Sequence, residues 1–308
     1  MLLAPGSIHF GTFLGALSAA EEQLYTVPLI VAHQQFAHHY TSVARLRSIL
    51  SGRQIWASDT TALNDPNEVV KPIRVARSSL SDQLEQLGGR GVLLEGLLGE
   101  LSQLSSMGVY TVSLSRDGNS SEMWDRYGDH GNGVNLEIDC SQLTLTEVRE
   151  GDSSWVTVPS DFLALQVEYF AFDDQFAQSA SSVVDVATRL NLSEGPVQLE
   201  ACLNLLFRIW AASLKDAAPW SVEREVRFVS KTVVLPDGSG RYWAGSGPAQ
   251  TPEVHLRPDG RPIRHLAVSL TPAALRSVTL GPATTSRVTE EVEALMAESG
   301  FDGSSLLS

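Results

Sequence analysis

The chain reads as an α+β protein, and three observations predict that class. Strand-like segments recur in distant parts of the sequence, helical patterns are grouped between them, and no regular strand–helix–strand alternation runs through it. With 308 residues, 43% hydrophobic and 19% charged, the chain is long and apolar enough for a sizeable core. That length suits one large domain or two modest ones, and no internal repeat or long low-complexity linker divides it.

The elements follow in order. In "HHYTSVARLRSILSGRQIWAS", Thr41 or Ser42 caps a helix, Val43, Leu46, Ile49 and Leu50 form its apolar stripe, and Gly52 ends it. "QIWAS" is a short strand, and Asn64, Asp65 and Pro66 supply turn chemistry. Residues 73–105 carry a helical leucine pattern, which "GGRG" at 88–91 splits into two helices. Residues 108–115 read as a strand, and "SSEMWDRYGD" as one or two helical turns capped by Ser120 or Ser121. Residues 133–139 and 163–170 are further strands, and 173–190 and 197–214 are long amphipathic helices. "WSVEREVRFVSK" at 220–231 is a strand, 265–270 and 278–282 are short ones, and "TTSRVTEEVEALMAES" closes with a helix.

Charge and motif content exclude several functions. The formal charge of −14 repels a phosphate backbone at long range, so non-specific duplex DNA binding is not expected. Two cysteines, Cys140 and Cys202, with no C-x-x-C pair, encode neither a zinc ribbon nor a disulfide framework and suit a reducing cytoplasm. The first 25 residues lack the basic start of a secretory signal and read as a mature segment. No run of about 18 apolar residues occurs, so no membrane span is expected. P-loop, G-x-G-x-x-G, H-E-x-x-H and G-x-S-x-G motifs are absent. His38 and His39 are adjacent on a strand and point to opposite faces, so no metal site is expected there.

Four polar-aromatic clusters remain: "HHYTS", "LNDPNE", "MWDRYGDHGNGVNLEID" and "WSVEREVRF". Each has a plain structural reading as cap, turn, core helix or cross-strand ion-pair ladder. In the last, alternation sets Glu223, Glu225 and Arg227 on one face and Arg224, Val226 and Phe228 on the other. Trp124 and Tyr127, three apart, would share a helix face.

Taken together and in this order, the clusters resemble a widespread bacterial domain family of unknown function. Its members carry Y-H-Y-T-S, F-N-D-P-x-E, M-W-x-x-Y, W-x-x-E-x-E-x-R and a terminal I-x-L-G-P before a helix. This chain offers His39-Tyr40-Thr41-Ser42, Asn64-Asp65-Pro66 with Glu68, Met123-Trp124 with Tyr127 and Gly133, Trp220 with Glu223, Glu225 and Arg227, and Leu280-Gly281-Pro282. Leu63 and Asn67 stand where the family has Phe. The resemblance divides the chain into an N-terminal extension at 1–35 and a single α+β domain at 36–308.

That family is in turn similar to the ADP-ribosyltransferase fold, which implies a mixed, mainly antiparallel split sheet flanked by helices, with NAD as cosubstrate. It also implies a macromolecular target, protein or nucleic acid, and a toxin or phage-defence role. His39 would then hydrogen-bond the adenosine-side ribose, Trp124 or Tyr127 would stack on nicotinamide, and Glu225, or else Glu223, would be the catalytic glutamate. Tyr40, Thr41 and Asn64 would complete the NAD site, and Arg227 or Arg126 would meet the pyrophosphate. The chemistry is coherent. Breaking the nicotinamide–ribose bond develops oxocarbenium character, which a carboxylate stabilises, and an aromatic wall attracts the cationic ring. Two other readings stand beside it: a non-catalytic nucleotide-binding or protein-interaction module, and a nuclease or hydrolase using Glu223, Glu225 and Asp65 around a divalent ion.

Overall fold

The computed structural model describes residues 35–63, 65, 68–86, 88–101, 109–147, 156–158, 162–189, 207–230, 233–234, 241–242, 253–256, 260, 262–301 and 305–307. Residues 1–34 of the expected N-terminal extension, Asn64, and the first part of the helix expected at 197–214 lie outside the described residues.

The first elements follow their sequence signals. Strand β1 (Phe36–Thr41) leads into helix α1 (Val43–Gly52), whose cap is Ser42, its hydroxyl accepting from the Arg45 backbone N–H. Leu46 and Leu50 are fully buried on its inner face. The left-handed residue that ends α1 is Arg53 (φ 48°), not Gly52; its N–H donates to the carbonyls of Ile49 and Leu50. Strand β2 (Gln54–Asp59) follows. The region expected as two helices holds three: α2 (Val70–Ser79), α3 (Ser81–Gln86) and α4 (Gly89–Leu101). The extra break falls at Leu80, which is buried and caps α2 through its own N–H to Ala76.

Next come β3 (Tyr110–Ser115), the short helix α5 (Ser121–Arg126) capped by Ser120, and β4 (Val134–Asp139). Strands β5 (Thr144–Glu147) and β6 (Val156–Val158) precede 162–170, which is two strands rather than the expected one: β7 (Phe162–Gln166) and β8 (Glu168–Phe170). The chain changes partner between them. β7 pairs with the later strand β10 (Glu225–Ser230), and β8 pairs in parallel with β9 (Leu214–Asp216). Helix α6 (Asp173–Arg189) lies between. Residues 207–212 are helical, but Leu214, expected to end that helix, opens β9 instead. Beyond β10 lie β11 (Val233–Val234), β12 (Arg241–Tyr242), β13 (Glu253–Leu256), β14 (Pro262–Ser269), β15 (Leu275–Leu280), helix α7 (Ser286–Glu298) and β16 (Ser305–Leu307).

The fold is α+β, with a mixed, mostly antiparallel open sheet. Its branch point is β3. One edge of β3 pairs with β10 from Thr111 to Ser115. The other edge is shared: β2 takes its start (Ser58 opposite Thr111) and β1 its end (His38 opposite Ser115). The wing β1–β4–β15–β16 and the wing β2–β14–β5–β6 therefore diverge from opposite ends of one strand. A gap opens between them beside Ser113.

The apolar faces converge on one large core. Val112 and Leu114 of β3, Leu136 of β4, Val226 and Phe228 of β10, and Val278 of β15 meet Leu46, Leu50 and Leu295 from α1 and α7. Gly133 seats the segment before β4 against β1: a Cβ there would stand 2.2 Å from the Thr41 carbonyl. Among the described residues, no helix is long and apolar enough to cross a membrane.

Candidate functional site

A cavity of about 260 Å³ occupies the place where β1 and β2 part, with β3 and β10 behind it. Its buried wall is a network of five charged side chains. Glu68 comes from the turn before α2, Lys215 from β9, Glu223 from a 3-10 turn (Ser221–Glu223), and Glu225 and Arg227 from β10. All five are buried, Arg227 completely.

Arg227 holds the network together. Its Nε donates to Glu225 Oε1 at 2.7 Å and its Nη2 to Glu225 Oε2 at 2.9 Å, a bidentate clamp. Nη2 also meets Glu68, and Nη1 donates to the Ala212 carbonyl at 2.9 Å. The Lys215 ammonium lies 2.7 Å from Glu223 Oε2, 3.0 Å from Glu68 Oε1 and 3.2 Å from Glu225 Oε2, and 4.8 Å from the centre of the Trp220 ring. The Tyr127 hydroxyl donates to the remaining oxygen of Glu223 at 2.5 Å.

Three carboxylates face two buried cations, with Arg126 3.7 Å from Glu223 at the edge of the network, and the carboxylates respond unevenly. Burial alone would raise the Glu225 pKa, but Arg227 and Lys215 overcome it and hold the carboxyl at about 2. Glu68 goes the other way: burial, reinforced by the charge of Glu225, pushes it up despite Arg227 and Lys215. Burial would likewise lower Lys215, yet Glu225 and Glu68 raise it, so it stays an ammonium.

The opposite side of the cavity belongs to β1 and α1. His38 is directly opposite Ser115, which is directly opposite Glu225, so His38 shares the Glu225 face of the sheet. His39 alternates to the other face and reaches the cavity through the gap between the wings, donating to the Ser113 carbonyl. Burial lowers its pKa to about 4, with the Arg45 charge adding to the effect.

The structure thus brings His39, Tyr40, Tyr127, Glu223, Glu225 and Arg227 onto one cavity. Several expectations change. Glu223 is not on the strand; it ends the turn before it, because Arg224 takes a left-handed conformation (φ 45°). Arg227 is not free to meet a pyrophosphate, since every guanidinium nitrogen is bound inside the network. Arg126 lies outside the cavity lining, donating to the Pro219 carbonyl and standing 3.7 Å from Glu223. Trp124 does not face the cavity. Helix α5 ends at Arg126, so Tyr127 leaves the helical path and the two aromatics part. Trp124 packs edge-on against Tyr40 at 4.9 Å between ring centres, while Tyr127 turns to Glu223. The Tyr40 hydroxyl is committed to the Asp117 carbonyl and the Ser120 N–H. Thr41 is buried beside the cavity rather than in its lining.

Sequence reasoning did not assign roles to Glu68, Lys215, Ser113 or Arg45. Glu68 stood inside the "NDPNE" cluster, and Lys215 was visible only as a lone lysine closing the apolar run "LFRIWAASLK". The divalent-ion reading needs Glu223 and Glu225 around a metal; they surround the Lys215 ammonium instead. Among the described residues, no group of three His, Cys, Asp or Glu side chains is arranged to hold a metal ion. No protein-family model, curated protein or solved structure matches this chain.

Proposed function

We propose that the chain is an NAD-consuming enzyme of ADP-ribosyltransferase type, acting in the cytoplasm on a macromolecular target in a toxin or phage-defence role. The observation that carries the reading is one cavity at a split in the sheet, with neutral His39 on one side and ionised Glu225 on the other. In this reading the nicotinamide–ribose bond breaks, nicotinamide leaves with the bonding electrons, and the ribose carbon gains positive charge. Glu225, fixed by Arg227, stabilises that charge without needing to reorganise. An acceptor nucleophile then forms the new bond to the ribose carbon and loses its proton. At about 260 Å³ the cavity falls below the roughly 300–1,000 Å³ of ligand pockets, so it takes the nicotinamide riboside end of NAD and leaves the adenosine end at the mouth.

One observation favours a second reading, a nucleotide-binding module without turnover. Both Glu225 oxygens are already bound by Arg227, and Lys215 adds a positive charge 3.2 Å away. Incubation of the purified protein with labelled NAD, alone and with cell lysate, separates the two. Nicotinamide release that Glu225→Gln lowers by about a hundredfold or more supports the enzyme. Label entering a macromolecule marks a transferase, and label released as free ADP-ribose marks a glycohydrolase. Binding without release supports the module; neither binding nor release overturns both.

A further inference from the structure

We infer that Arg45 makes the rim of this cavity a phosphate-ester site, which orients an elongated ligand with its anionic end at α1 and its neutral or cationic end at the carboxylates. The inference deepens the NAD reading and rests on it for the identity of the ligand, but not for the presence of the anion site.

Three cations of constant charge line the cavity: Arg45, Lys215 and Arg227. Lys215 and Arg227 are buried and bound to Glu68, Glu223 and Glu225. Arg45 is exposed on the first turn of α1, and its side chain has no hydrogen-bond or ion-pair partner among the described residues. It lies close enough to His39 for its charge to act on the imidazole. A neutral His39 adds no charge of its own to that side.

The cavity is therefore bipolar. Its buried wall carries the carboxylates of Glu68, Glu223 and Glu225, and its rim carries the uncommitted guanidinium. In a chain of net charge −14, an anion finds little attraction except from such a local centre. A guanidinium binds phosphate by two parallel N–H···O contacts, which fixes direction as well as position. A ligand with a phosphate at one end and a positive ring at the other matches both poles; a ligand of uniform charge matches one.

Titration calorimetry on the full chain tests this with inorganic pyrophosphate, ADP-ribose and nicotinamide riboside as probes. Wild type is expected to bind pyrophosphate and ADP-ribose, and Arg45→Gln to weaken both by about ten- to a hundredfold, the usual size of a charge-assisted contact. Arg45→Lys should keep part of the loss from appearing, and nicotinamide riboside should be unaffected by either change. Arg45 is exposed, so both variants should melt with the wild type. Unchanged ADP-ribose affinity in Arg45→Gln overturns the inference, as does wild-type protein that binds neither phosphate probe. Arg45-dependent phosphate binding without nicotinamide release from NAD leaves the anion site standing and removes the enzyme reading.

Discussion

Arg227 clamps Glu225, two positions earlier on the same strand, through contacts of 2.7 and 2.9 Å, and both side chains are buried. Removing the guanidinium strands Glu225 and Glu68 without their main counter-charge. Arg227→Met should therefore cost about 3–5 kcal/mol in chemical denaturation, the range for breaking a buried pair on one side. Arg227→Lys should recover little, because an ammonium cannot reproduce the bidentate geometry.

The pH dependence of stability should carry three signatures. His39 has a folded pKa of about 4 against an ordinary 6.5. Between those values the unfolded chain binds a proton that the folded chain refuses, so stability should fall as pH drops through that window. His39→Gln should flatten that part of the curve. Glu225, held at about 2 against an ordinary 4.5, contributes stability that is complete above pH 4.5 and lost as pH falls toward 2. Glu68, pushed up by burial, has the opposite sign and is relieved by acid. Denaturation midpoints of wild type, His39→Gln and Glu225→Gln from pH 7 to 3 measure these slopes; a His39→Gln curve parallel to wild type between pH 6.5 and 4 contradicts the first.

The two aromatics of the third cluster should separate cleanly. Trp124 supports the fold through Tyr40, so Trp124→Ala should cost about 3–5 kcal/mol. Trp124→Phe, which keeps most of the packing, should leave NAD binding unchanged. Tyr127→Phe deletes the hydroxyl that meets Glu223 and should cost about 1.5–3 kcal/mol while weakening NAD binding. The reverse pattern would place Trp124 in the site.

Gly133 is required by close approach rather than by φ. A methyl group there meets the Thr41 carbonyl at 2.2 Å and the Gly128 carbonyl at 2.8 Å, both backbone atoms that cannot swing aside. Gly133→Ala should lower stability by about 1–3 kcal/mol, as overpacking does, and Gly96→Ala, where a Cβ meets nothing within 4 Å, should not. Thermal melts of the two variants compare them directly.

Much of the fold was legible locally. A cap at Thr41 or Ser42, the Leu46–Leu50 stripe and the apolar alternation of Val226 and Phe228 are properties of residues a few positions apart, and the structure repeats them, with Ser42 as the cap. The errors fall where no local signal stands. Leu80 gave no breaker signal, so α2 and α3 read as one helix. Val167 interrupted 162–170 without a turn residue because the strand changes partner there, and pairing partners leave no mark in the sequence.

For the site, the sequence by itself determined which residue types stand near one another along the chain: His39 beside Tyr40, Tyr127 after Met123, Glu225 two before Arg227. Strand alternation even set Glu225 and Arg227 on one face, since period two is a property of the backbone. Only the tertiary structure decided that Arg227 also meets Glu68, 159 residues away, that Lys215 sits among three carboxylates, and that His39 looks across a gap from Glu225 rather than along the same face. The reason is physical. A buried charge must find its partner wherever the chain brings one, and the gap that forms the cavity exists only because β1 and β2 share one edge of β3, a later strand.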